Sequence, residues 1–161
     1  MRTKVAAVLA GLAFVAACGP DVPAGLADKV ESACPGLLKA EPLAVITKGL
    51  TVSQVESAGP DGCRVFVSTG QMVLSLGLVA YPSQEESERL TPMLCASGTL
   101  DPETRSCEAG QPDSKELSVH AVAGRWNVRV HVYEVPVDDE IKAAVQRIIE
   151  DLRSSDKVKN A

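Results

Sequence analysis

Side chains able to do acid–base or metal chemistry are scarce in this chain of 161 residues, which holds only two histidines. Both, His120 and His131, lie in one stretch of alternating hydrophobicity together with Glu116, Ser118 and Arg129. With Ala123-Gly124 as the turn, that stretch closes as a hairpin. Leu117 then faces Val130, Val119 faces Val128 and Ala121 faces Trp126 on one side, while Glu116 faces His131, Ser118 faces Arg129 and His120 faces Asn127 on the other. A carboxylate opposite an imidazole makes a weak pH-responsive pair. A histidine acting as general base is the least that a small hydrolase would need. In this register the two imidazoles stand four residues apart, on the order of 13 Å at about 3.3 Å per residue. Metal–nitrogen bonds are about 2 Å long, so the two cannot share an ion. An ordinary solvated strand face with cross-strand charge pairs is the stronger reading. The chain has no G-x-S-x-G elbow, H-E-x-x-H helix, P-loop or dinucleotide glycine fingerprint. No catalytic residue, metal site or cofactor is therefore assigned, and the expectation is a protein that is not an enzyme.

The five cysteines carry more information. Arg2 and Lys4 precede an apolar run from Val5 to Ala17 that is too short to span a bilayer and ends in small residues. Val15-Ala16-Ala17-Cys18 resembles the lipobox of bacterial lipoproteins. That resemblance implies a signal peptide over residues 1–17 and a diacylglycerol thioether on Cys18, which becomes the first mature residue. An ordinary secretory peptide cut near Ala17 is the alternative. With Cys18 assigned to lipid, Cys34, Cys63, Cys95 and Cys107 form an even set, and export places them where disulfides persist. Four cysteines allow three pairings, and sequence alone does not choose. The favoured pairing joins Cys95 to Cys107 across a loop of turn residues and Cys34 to Cys63 between the first helix and a strand. None of the four sits in a C-x-x-C pair and the histidines are remote, which disfavours zinc.

Removing the first 17 residues leaves 144, enough for one domain with a full core. The formal charge then moves from −5 to −7. A chain this acidic has no electrostatic reason to hold nucleic acid. It is also repelled by anionic head groups, so membrane attachment should come through acyl chains at Cys18 and not through a basic patch.

Positioning falls to the following elements. Residues 18–24 form a lipidated cysteine and a short tether, so the body should ride close to the bilayer. A single domain spans 25–155. Its first helix runs from Gly25 to Leu38, with Leu26, Val30, Ala33 and Leu37 at helical spacing and Pro35-Gly36 breaking it after Cys34. Leu43 to Ile46 and Leu50 to Val55 read as short strands, and Ala58 to Gly62 as a turn. Two alternating runs, Cys63 to Thr69 and Gln71 to Tyr81, form a hairpin in which Val67 faces Met72, Val65 faces Leu74 and Cys63 faces Leu76. Ser83-Gln84-Glu85-Glu86 is a capping box that opens a polar helix, which Pro92 kinks or ends. The loop from Cys95 to Cys107 extends through Gly110 to Ser114. After the histidine hairpin, Asp138 caps a long helix with Ile141, Val145, Ile148 and Leu152 in one stripe. Residues 156–161 are a charged tail expected to fray. The fold class is α+β: an antiparallel sheet of about five strands, with an N-terminal and a long C-terminal helix packed on it and two disulfides as staples.

Two features point to binding. Trp126 is the only tryptophan. It falls on an apolar face, so core packing is favoured, with the lining of a cleft between sheet and C-terminal helix as the functional alternative. Phe66, Val73 and Val79 fall on the face opposite Met72, Leu74, Leu76 and Leu78, so the central hairpin looks apolar on both sides. One side should meet helices, and the other must be covered by loops, a ligand or a partner. The candidate contact residues are Phe66, Val73, Val79, Trp126, Glu116 and His131.

Ala33-Cys34-Pro35-Gly36-Leu37-Leu38 and Gly62-Cys63-Arg64-Val65-Phe66 resemble a family of actinobacterial envelope lipoproteins of unknown function. Their domain is similar to the extracellular sensor domain of certain mycobacterial Ser/Thr kinases. In that family the early Cys before a Leu-Leu pair and a later Cys at the head of a strand commonly bond to each other. The family pattern has Trp two places after the second Cys, where this chain has Val65. The resemblance implies a helix-and-sheet module with a groove, tethered outside the membrane. The expectation is thus an exported, lipid-anchored binding or sensor-like module whose partner is a lipid, a glycolipid or an envelope protein. An accessory protein for an envelope enzyme or transporter is the next reading, and a small extracytoplasmic hydrolase the third.

Overall fold

The computed structural model describes residues 20–109 and 116–160. Cys18, the segment before it and the loop residues Gly110 to Ser114 lie outside the described residues.

Leu26–Ala33 forms α1, which stops where Pro35 forbids its continuation and Gly36 takes a φ of 69°. Ala40–Ile46 forms α2, a helix where a strand is expected from Leu43 to Ile46. Short apolar runs carry no decisive period. Pro42 is tolerated here because it sits in the first helical turn, where its missing N–H has no helical partner to lose. The first strand of the sheet, β1, is Val52–Ser57. Then β2 (Gly62–Val67) and β3 (Met72–Ala80) form the expected hairpin, with Cys63 opposite Leu76 and Val65 opposite Leu74 as read from the sequence.

A bulge follows Val65, so that Phe66 faces Met72 and not Val73. This one-residue irregularity carries Val73 into the core at 1% exposure. The hairpin is therefore not apolar on both sides in the way its alternation suggests.

Ser83 accepts a hydrogen bond from Glu86 N at 3.1 Å and opens α3, Gln84–Leu90. At Pro92 the helix tightens into a 3₁₀ turn, Thr91–Leu94. Ser106–Ala109, expected as part of a loop, is a sixth strand, β4. The histidine hairpin is β5 (Leu117–Ala123) and β6 (Trp126–Val132). Its turn is Gly124-Arg125, one residue later than expected, with glycine first and at a φ of 58°. Every pair moves by two: Ser118 faces His131, His120 faces Arg129 and Ala123 faces Trp126. A shift of two keeps each side chain on its face and changes only its neighbours.

Asp138 caps α4, Asp139–Ser154, by accepting from Ile141 N at 2.9 Å. The stripe Ile141, Val145, Ile148 and Leu152 is fully inside. Residues of the tail expected to fray make tertiary contacts. Asp156–Lys159 forms a short α5 that buries Val158, and Lys157 reaches Asp61 at 2.8 Å.

The six strands make one antiparallel sheet in the order β1-β2-β3-β6-β5-β4, one strand more than expected. The two hairpins join where β3 pairs with β6. Helices α1, α2 and α4 cover one face, and their Leu26, Val30, Leu43, Ile46, Ile148 and Leu152 share a core with Val65, Leu74, Leu76 and Val130. Both expected disulfides are present: Cys34–Cys63 with Cα atoms 5.8 Å apart, and Cys95–Cys107 at 5.6 Å. Lys29 on α1 donates to Val52 O at 2.8 Å and so blunts the β1 edge.

Candidate functional site

Among the described residues, the other face of the sheet is closed at one corner only. There α3 and the 3₁₀ turn lie over the β5–β6 end, where Ser87 Oγ donates to Trp126 O at 3.1 Å and Asn127 Nδ2 donates to Thr91 Oγ1 at 3.3 Å. Asn127 is fully buried as a result, and its Oδ1 accepts from Arg129 Nε at 3.1 Å and lies 3.3 Å from His120 Nδ1. The amide thus links the covering turn to the open part of the face. Cys95–Cys107 fixes the same corner, because Cys107 stands opposite His120 in the β4–β5 register.

Beyond that corner no described element covers the face, and strand register sets its layout. Glu56, Arg64, Ser75, His131 and Ser118 form one row across five strands. The next row toward the covered corner is Gly62, Gly77, Arg129, His120 and Cys107. A row on the far side brings Gln54, Phe66 and Met72 together. His131 stacks on Tyr133, ring centroids 4.6 Å apart, and its Nε2 is 4.0 Å from Glu116 Oε2. Arg64 and Glu56 approach to 3.8 Å. A Cβ built on Gly77 would meet nothing within 4 Å, so mid-sheet the face has a hollow. Gly62 differs, since a Cβ there would lie 2.7 Å from Ala58 O and the turn itself demands glycine.

The electrostatics follow the burial. Burial first, then the charges of Arg129 and His131, hold the His120 imidazole below its usual value, against the opposing hydrogen bond from Asn127. The Tyr133 hydroxyl is pushed up by burial and by the Glu116 carboxylate, with Arg64 pulling the other way. His120 and His131 are two residues apart along the hairpin, on the order of 7 Å, and not the 13 Å of the expected register. Among the described residues no three His, Cys, Asp or Glu side chains are grouped to hold a metal ion. What this arrangement offers is a mixed surface of rings, guanidinium groups and carboxylates around a hollow.

Of the residues expected to make contacts, Phe66, Val79, Glu116 and His131 lie on this face, and Val79 is 36% exposed. Val73 and Trp126 do not. Trp126 is 8% exposed and packs in the core, with the Arg125 guanidinium 5.5 Å from its ring centroid. Core packing, the favoured reading of Trp126, is what the structure has, and the core fills the space between sheet and C-terminal helix where the alternative placed a cleft. The Trp126 Nε1 is buried without a hydrogen-bond partner among the described residues. Sequence reasoning missed Asn127 as a buried hub, because alternation marks the outward side of a strand and not what later covers it. Gly77 left a signal, a glycine inside a strand pattern, which often marks a place of close approach.

A second concavity lies in the helix layer. A groove of about 1010 Å³ runs between α2 and α4, and Pro20 and Asp21 border it. Its apolar lining includes Pro42, Ala44, Val45, Ala143 and Ala144. Lys39–Asp151 at 2.8 Å and Lys48–Glu140 at 3.3 Å bridge its two sides, and Arg147 pairs with Asp151 at 3.6 Å within α4. No helix among the described residues is long and apolar enough to cross a membrane.

Comparison with protein-family models and with curated proteins gives no match for this chain.

Proposed function

We propose that this chain is an exported, lipid-anchored, non-enzymatic binding module of the bacterial cell envelope, and that it engages an envelope protein through the uncovered sheet face. The observation that carries the reading is that face itself, five strands wide, with Phe66, Met72, His131 and Arg129 around the Gly77 hollow. Aromatic residues, Met and Arg are the types enriched at the centre of protein interfaces. The lipobox-like Cys18 and the two disulfides, which need an oxidising compartment, support the address. The likeness to actinobacterial envelope lipoproteins and to kinase sensor domains belongs to the same proposal.

The test is site-specific photocrosslinking in cells from position 75, beside the hollow. The expected result is one discrete adduct with an envelope protein that disappears in Gly77→Phe, while Gly77→Phe keeps the wild-type unfolding midpoint. Adducts with lipid alone, or a protein adduct unchanged by Gly77→Phe, would contradict the reading.

A further inference from the structure

From the groove between α2 and α4 we infer that one of the acyl chains carried on Cys18 folds back onto the protein and lies in that groove, while the rest of the lipid stays in the bilayer. The inference rests on the lipid-anchored reading above. Pro20 and Asp21 border the groove, so the tether leaves the body at its mouth. Cys18 lies two residues before Pro20, a reach of at most about 7 Å, so a lipid on Cys18 starts within reach of the groove. The apolar part of its lining includes Pro42, Ala44, Val45, Ala143 and Ala144. The cations of the rim, Lys39, Lys48 and Arg147, are all engaged by rim carboxylates. The lining sets these three cations against four carboxylates, Asp21, Glu41, Glu140 and Asp151, so it offers no excess positive charge to select an anionic head group, whereas its apolar part suits hydrocarbon. At about 1010 Å³ the groove stands at the upper end of the usual range for small-molecule sites, roughly 300–1,000 Å³. A chain held there draws the α2–α4 side toward the bilayer and turns the open sheet face, on the opposite side of the sheet, away from it.

The experiment uses the native lipidated protein with a photoreactive benzoylphenylalanine at Ala143, and in a second variant at Lys48, both exposed and both on the groove. A third variant carries it at Val79 on the opposite face. After irradiation in lipid nanodiscs and tryptic digestion, mass spectrometry reads the crosslinked peptides. The expected result is a link from positions 143 and 48, and not from 79, to an acyl carbon of the lipidated Cys18–Lys29 peptide. Links from the groove positions to nanodisc phospholipid only, to a second copy of the chain, or to nothing would overturn the inference while leaving the anchor intact. A Cys18–Lys29 peptide without acyl mass in the same spectra would overturn both this inference and the anchored reading.

Discussion

Asn127 is the residue on which the open face and its covering corner both depend. Its side chain is wholly buried among Thr91, Arg129 and His120, and each partner comes from a different part of the site. Asn127→Ala removes the acceptor for a guanidinium and leaves buried polar groups unpaired, at a cost of about 1–3 kcal/mol. A urea titration should therefore show a lower midpoint with an unchanged slope. His120 adds a pH dependence. Its folded pKa is depressed below the usual 6.5, so the unfolded chain binds a proton more readily than the folded one. The contribution is fully present above pH 6.5 and is lost as pH falls through the folded value. Unfolding midpoints measured from pH 7.5 to 4.5 should fall across that window, and His120→Asn should flatten the slope. An equal slope in the variant would show that other groups carry it.

At the scale of elements, the disulfides divide the labour. Cys34–Cys63 closes 29 residues and ties the end of α1 to β2, while Cys95–Cys107 closes 12 and ties the covering corner to β4. Loop-closure entropy assigns roughly 3.6 kcal/mol to the first and roughly 2.8 kcal/mol to the second. Double replacement of Cys34 and Cys63 by Ala should thus lower the melting temperature more than replacement of Cys95 and Cys107, as scanning calorimetry would read. The caps at Ser83 and Asp138, the α4 stripe and the β2–β3 register were legible because local chemistry or long periodicity specifies them. The strand expected at Leu43–Ile46 was not. Seven residues of Ala, Glu, Pro, Leu, Val and Ile support either period, and packing on α4 decides. The β5–β6 register slipped by two because alternation fixes parity and leaves the turn to fix position. β4 was hidden, since four residues beside turn formers carry no pattern of their own.

For the whole molecule, the two sides of the sheet have different tasks. One side holds the helices, the core and the groove beside the tether. The other presents the hollow and the polar cluster. The cluster was legible as one strand face from alternation, and core packing was the favoured reading of Trp126, but Val73, offered as a contact residue, is carried into the core at the bulge. The groove was beyond sequence reasoning, since it arises from the approach of α2 to α4 across about 100 residues of chain. The proposed anchoring rests on lipid at Cys18, and the measurement that bears on it most directly is the intact mass of the native protein extracted from membranes. The account predicts a chain that starts at Cys18, carries a diacylglycerol thioether and has lost four hydrogens to two disulfides. A chain with a free thiol at position 18, or one that retains residues 1–17 in the cytosol, would contradict it.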